Sequence, residues 1–202
     1  MSVAVDVTQT GSGADAFRGR LLDGFARSIA ERGYRDTTVA DVVRHAKTSK
    51  RTFYDHFASK EECFIALLRN NNEKLIADVT GAVDPESSPD EQVRSAVDAY
   101  LTHIESRPAI TLSWIREAPA LGDVARPLHR LAMDDLTDMI VGLSISPGFQ
   151  RAGLQPISQQ LALILVAGLR ELTALFVEDG RDVRGIAEPG VTAARALLGL
   201  TP

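Results

Sequence analysis

TTVADVVRHAKTSKRTFYDHFASKEECF, Thr37 to Phe64, is the stretch on which the reading of this 202-residue chain turns. Thr38 opens a helix whose apolar residues Val39, Val42, Val43 and Ala46 stand at i, i+3, i+4 and i+7, one face of a 3.6-residue period. Asp41, three residues after Thr38, is placed to return a hydrogen bond as in a capping box. The pattern breaks at Lys47-Thr48, and Ser49 can cap a second short helix through Lys50, Arg51, Thr52, Phe53 and Tyr54. That helix buries Phe53 and leaves Thr48, Ser49, Lys50, Arg51 and Tyr54 outward. Ser59-Lys60-Glu61-Glu62 then reads as another capping box, with Ser59 at N-cap and Glu62 at N3 of a long third helix. Two short helices joined by a tight turn, with donors on the open face of the second, have the layout of a helix-turn-helix. In that layout base edges are read from the N-terminal part of the second helix. Lys50 and Arg51 are the prime candidates, because an arginine pairs two-pronged with guanine; Thr48 and Thr52 can meet a base edge or a thymine methyl. Ser49 can be either a cap or a contact.

Net charge over the whole chain is −5, which alone argues against nucleic acid. The charge is unevenly placed. Residues 16–60 carry ten Lys/Arg against five Asp/Glu, a net +5, which leaves −10 for the rest. A basic segment beside a helix-turn-helix, joined to an acidic body, is the footprint of a nucleic-acid reader.

These residues resemble the TetR family of bacterial transcription regulators. The family's signature is matched at Thr37-Thr38-Val39, Ala46, Ser49, Thr52-Phe53-Tyr54, His56-Phe57 and Ser59-Lys60-Glu61, ungapped over about 28 residues. The turn residue is Lys47 where the family has glycine, and Thr48 stands where it has an aliphatic. A lysine enters a left-handed turn at a cost of about 1 kcal/mol, so the turn is expected to form with less rigidity. The resemblance implies that Thr38, Tyr54, His56 and Lys60 grip backbone phosphates, which fixes register without reading sequence. His56, beside Phe57, also fits a purely structural place. The implied architecture is all-α: a three-helix DNA-binding domain over residues 14–60, and a helical effector-binding and dimerisation domain over 61–202. The implied partners are a double-stranded palindromic operator, a second copy of the chain and a small-molecule effector, with repression of transcription as the family habit.

Composition agrees with an all-helical protein, at 45% hydrophobic and 5% aromatic residues with few strand-like alternations. Cys63 is the only cysteine, so it forms no intrachain disulfide, and beside Phe64 it reads as a small packed hydrophobe. The N-terminal MSVAVDVTQTGSG lacks the basic start and apolar core of a signal peptide, and residues 1–13 are read as a disordered tail. No unbroken apolar run approaches the roughly 18 residues needed to cross a membrane, and the protein is expected in the cytoplasm without a membrane partner.

Along the chain, periodicity and punctuation predict about nine helices. The first runs from about Ala14 to Arg32 on Phe17, Leu21, Leu22, Phe25 and Ile29, with Gly33 at its end. Arg18 and Arg20 on it can touch phosphate or simply be solvated. The helix opened at Ser59 ends near Asp84-Pro85. Ser88, Pro89 and Glu91 start the next, which runs to about Ser106. A short helix from Pro108 is ended by Pro119; another carries Pro127 in its first turn and runs to Leu143. Ser144–Pro156 is read as a loop from its Gly and Pro content. Ser158–Glu178 is the most apolar helix and about Glu188–Leu200 the last.

Leu161 to Leu169 is an unbroken apolar or small run, so both sides of that helix need cover. A second copy of the chain supplies it most simply, through Leu161, Leu165, Gly168, Leu169, Leu172, Ala194 and Leu198; a core helix of a monomer is the alternative. The effector pocket implied by the resemblance is assigned to Leu67, Tyr100, His103, Trp114, His129, Met133 and Phe176, each of which also fits ordinary core. From Phe64 on, five aromatics remain, which favours an aliphatic or mixed effector. No metal-ligand spacing, cofactor motif, nucleophile motif or phosphate-cradling glycine loop stands out; Asp134, Asp135 and Asp138 read as a solvated helix face. An enzyme is therefore the weaker rival, alongside a regulator that answers to a protein partner or to no effector.

Overall fold

The computed structural model describes residues 9–200, with side chains from Asp15 onward. The described residues form ten α-helices and two short 3-10 segments, with no strand among them. They divide into two compact units, one ending at Leu68 and the other beginning at Arg69.

The first unit holds α1 (Gln9–Asp36), α2 (Val39–His45), α3 (Lys50–His56) and the start of α4 (Lys60–Ala82). Helix α1 begins at Gln9, five residues before the sequence expectation; the segment read as a tail is helical from there, and residues 1–8 lie outside the described residues. Nothing in Gln9–Gly13 forces a stop, and propagation adds one backbone bond per residue. The helix breaks where expected. Gly33 takes φ 77°, ψ 167°, a region open essentially to glycine alone. Leu21, Leu22, Phe25, Ile29, Val42, Val43, Ala46, Phe53, Phe57, Phe64 and Leu67 are buried in this unit. Phe17, assigned to the same stripe, is instead 39% exposed; it lies one turn before the stripe meets its partners, and Arg20 stacks on its ring at 4.1 Å. Tyr34 joins the core unannounced, stacked on Phe64 with ring centroids 4.0 Å apart. Cys63 is fully buried, and burial pushes its thiol up to about 12, so it packs as a hydrophobe.

The second unit contains the rest of α4, then α5 (Pro89–Ser106), α6 (Pro108–Arg116), a 3-10 segment (Ala118–Val124), α7 (Arg126–Ser144), α8 (Pro147–Arg151), α9 (Gln159–Glu178), a 3-10 segment (Val183–Ile186) and α10 (Ala187–Leu197). The capping box at Ser88 and Glu91 forms in both directions, with Pro89 inside the first turn. Helix α8 corrects the loop expected over Ser144–Pro156 and accounts for the tenth helix. Pro147 starts it, Phe149 is buried, and Ser146 donates to Gln92 Oε1 at 2.8 Å. Gln92 in turn donates to the carbonyls of Pro85 and Ser87. A five-residue helix is too short to show a period, so only its packing reveals it.

Helix α9 packs against α6, α7 and α10, and α10 packs against α5. One core gathers Val93, Val97, Leu101, Ile104, Phe149, Leu165, Phe176, Ile186 and Val191; another gathers Leu75, Val79, Leu136 and Val166. By length and composition α9 is apolar enough to cross a membrane, contrary to the expectation from unbroken runs. Arg170 and Glu171 interrupt the apolar run without making the helix polar as a whole. Those two charges stand mid-helix, and Ala162, Leu165, Val166, Ala174 and Phe176 are buried within the unit, the marks of a core helix with one open face.

Candidate nucleic-acid interface

The helix-turn-helix is assembled by its caps. Thr38 accepts from the Asp41 backbone N–H and donates its hydroxyl to Asp41 Oδ2 at 2.7 Å, while Asp41 receives the Thr38 N–H at 3.0 Å. These bonds, with Arg32 and Arg44 nearby, hold the Asp41 carboxyl down at about 2. Ser49 accepts from the Thr52 N–H at 3.0 Å and shares a hydrogen bond with its hydroxyl. Between the two helices Lys47 sits at φ 51°, the left-handed conformation expected of the residue at the glycine position. Gly24 of α1 lets α2 come close: a Cβ there would lie 2.7 Å from the Val42 carbonyl oxygen and 2.9 Å from the Ala46 nitrogen.

The cations of this unit separate into two sets. Arg32 and Arg44 pair with Asp41 at 3.3 Å, and Arg44 also approaches Glu31. Lys60 turns inward. Its ammonium donates to the carbonyls of Tyr34 at 3.2 Å and Thr37 at 3.0 Å and lies 4.4 Å from the Tyr34 ring centre. Arg18 stacks over Phe57. By contrast Lys47, Lys50 and Arg51 are exposed and make no ion pair or hydrogen bond among the described residues. Tyr54, 57% exposed, leans its ring edge-on against Phe53, and His56 is half-buried. Apart from Arg27, exposed on α1, the open donors therefore sit on the turn and on α3. Of the sequence candidates, Thr38, Ser49, Thr52 and Lys60 are already committed to caps and carbonyls. The rest stand toward solvent or half-buried.

In the second unit the effector candidates scatter. Leu67 belongs to the first unit, fully buried there. Phe176 is a core anchor, with Arg181 stacked 3.7 Å from its ring centre. His103 is buried and pairs through Nδ1 with Asp78 at 2.8 Å. The remaining four do come together, around a residue the sequence reading passed over. Arg170 donates to Met133 Sδ at 2.8 Å. Tyr100 and His129 lie close enough for their charges to interact with it. Trp114 stands over His129 at 6.5 Å, and the Tyr100 hydroxyl meets Thr173 at 2.7 Å. A cation directly after the most apolar run of the chain was the available signal.

The dimer candidates divide as well. Leu165 and Ala194 are buried in the unit's own core, and Leu169, Leu172 and Leu198 pack against it. Leu161 and Gly168 are exposed, together with Leu163, Ile164, Ala167 and Leu175. The open face of α9 is thus rotated from the one first assigned, because the heavier leucine stripe was claimed by α5 and α10.

A three-helix head with free cations on the turn and on α3 defines a helix-turn-helix protein. Residues 21–67 match the family described as bacterial regulatory proteins, tetR family. The HTH-type transcriptional repressor KstR2 of Mycobacterium tuberculosis is 37% identical over 109 residues, 54% of this chain and 54% of that one. The HTH-type transcriptional activator FasR of Mycolicibacterium smegmatis is 31% identical over 91 residues, 45% of this chain and 42% of that one. The chain thus matches about half the length of these relatives. The fold is shared more widely: FadR from Bacillus subtilis, solved in complex with stearoyl-CoA, superposes with a TM-score of 0.73 at 15% identity, over 91% of this chain and 99% of that one. The head of the chain, residues 21–67, is thus similar to the tetR family of bacterial regulatory proteins, and the chain as a whole shares its fold with FadR.

Proposed function

We propose that this protein is a sequence-specific DNA-binding transcription regulator: a cytoplasmic homodimer that holds a palindromic operator and lets go when a small molecule binds its second unit. One observation carries the reading. Lys47, Lys50, Arg51 and Tyr54 stand open on the turn and α3, while the neighbouring Arg32, Arg44 and Lys60 are held by internal partners. Arg51 reads a base edge, Lys50 and Lys47 meet phosphate or base, and Tyr54 and His56 set register on the backbone. Thr38, Ser49 and Thr52 act through the caps that present them.

The exposed stripe of α9 is covered by the same stripe of a second copy, the isologous contact usual in two-fold oligomers. Two heads so joined reach successive major grooves, about 34 Å apart. An effector in the second unit changes that spacing through α4, the one helix that contributes to both units. Repression is the sign we assign, following KstR2, the more similar of the two relatives described. No catalytic step is assigned to any residue.

Selection of bound sequences from random DNA by the purified protein tests the reading. A two-fold motif with one-turn half-site spacing is expected. Arg51→Ala should weaken operator binding by about 1–3 kcal/mol and relax preference at one base position per half-site. Enrichment of no sequence, or a variant with unchanged discrimination, overturns it.

A further inference from the structure

Among the described residues Arg170 forms no ion pair, and the one carboxylate whose charge reaches it, Glu171, is shared with Arg116. Arg170 Nη1 donates to a thioether, Met133 Sδ at 2.8 Å, and its Nε is buried without an acceptor among the described residues. Thioether sulfur is a weak acceptor. The Glu171 carboxylate, next in the chain, is engaged two-pronged by Arg116, with both bonds at 2.9 Å. His129 Nδ1 is likewise buried without a partner. Burial and the neighbouring guanidinium both push His129 toward its neutral form, and burial holds Arg170 below its ordinary value. A desolvated cation with unmet donors is a standing penalty unless an anion completes it.

We propose that Arg170 reads a carboxylate, so that the effector of this chain is a monocarboxylic acid with an apolar body. This rests on the effector reading above and gives it a chemical class. The guanidinium fork matches a planar carboxylate in two parallel hydrogen bonds. His129 Nδ1 and the Tyr100–Thr173 hydroxyl pair stand close by to meet the remaining lone pairs. Because His129 is kept neutral, the site offers one full positive charge. That suits a monoanion and leaves a phosphate dianion or a polyphosphate short of compensation. The apolar body lies beside Met133 and Tyr100, which pack on the Leu75, Val79, Leu136 and Val166 cluster. Trp114 and His129 close the same neighbourhood.

The test uses the full-length protein and a probe series: octanoate, decanoate, hexadecanoate and benzoate, with octanol, decanol and decanoyl-CoA as comparators. At least one free acid should raise the melting temperature and bind more tightly than its alcohol. Arg170→Met should weaken that acid by tenfold or more, roughly what loss of a charge-assisted pair removes, while leaving the alcohols unchanged. Without ligand, Arg170→Met should melt at or above the wild type, since it removes a desolvated cation whose Nε has no acceptor. Failure of every acid, equal binding of acids and alcohols, binding of decanoyl-CoA alone, or a collapsed Arg170→Met protein each overturns the proposal; collapse would make the guanidinium a structural strut. Operator release is followed in parallel. An acid that binds through Arg170 and leaves the DNA complex intact keeps the carboxylate site and removes the effector reading. Absence of any DNA binding removes the regulator reading alone.

Discussion

Lys60 and Asp41 carry the residue-scale lesson. Both are charged and both lie within the signature, yet each is turned to internal use. Lys60 donates to the carbonyls of Tyr34 and Thr37, beyond the break at Gly33, and so supplies those backbone acceptors with a charged donor. Lys60→Ala should therefore lower the stability of the head by about 1–2 kcal/mol and leave the salt slope of DNA binding unchanged. Lys50→Ala should do the reverse, flattening the slope by about one unit; urea melts beside salt titrations of both variants check this. Asp41, bonded to Thr38, titrates below its ordinary 3.8, at about 2. A carboxyl depressed by folding adds stability above its unfolded value and loses it as the pH falls toward the folded one. The head should weaken as the pH drops from about 4 to about 2. Asp41→Asn should remove that part of the acid sensitivity, read as the difference between the two acid melts.

At the scale of elements, most of the head was legible because its signals are local. The box at Thr38 and Asp41, the cap at Ser49 and the break at Gly33 need only neighbours within four residues. The left-handed turn at Lys47 was legible from its place in the signature. It is the one non-glycine residue at positive φ among the described residues. Lys47→Gly should stabilise the head by up to about 1 kcal/mol by relieving that conformation, less the added freedom of the unfolded chain. Thermal unfolding measures it; a lower melting temperature would mean that the lysine side chain contributes more than its backbone costs. Helix α8 was not legible. Phe149 and the Gln92–Ser146 bond hold it, and Gln92 lies 54 residues from Ser146 in the chain.

At the scale of the whole molecule, α9 supplies the large exposed apolar residues Leu161, Leu163, Ile164 and Leu175, with Ile164 59% exposed. Contiguous apolar surface of this kind marks an association face more often than free surface. Ile164→Glu should leave the protomer folded, because the residue contributes little to its own core. In the proposed dimer two heads bind as one unit, so the variant should also shift the protein toward monomer and lower operator affinity. Sedimentation equilibrium beside operator titration checks both; an unchanged dimer would move the interface elsewhere.

What the sequence determined by itself was the helical class, the helix-turn-helix, its caps, its turn and the family resemblance of the head. Each follows from contacts between residues a few positions apart, or from the order of residue types along one stretch. Which long side chains are free and which are consumed was decided only by the tertiary structure. Lys60 reaches back 23 residues to Thr37 by way of the Tyr34 ring, and Arg170 meets Met133 across 37. The same holds for α9: its leucines are alike in sequence, and only the packing of α5, α6, α7 and α10 settled which are covered. Apolar pattern says that a helix must be buried, and the neighbours that fold beside it say on which side.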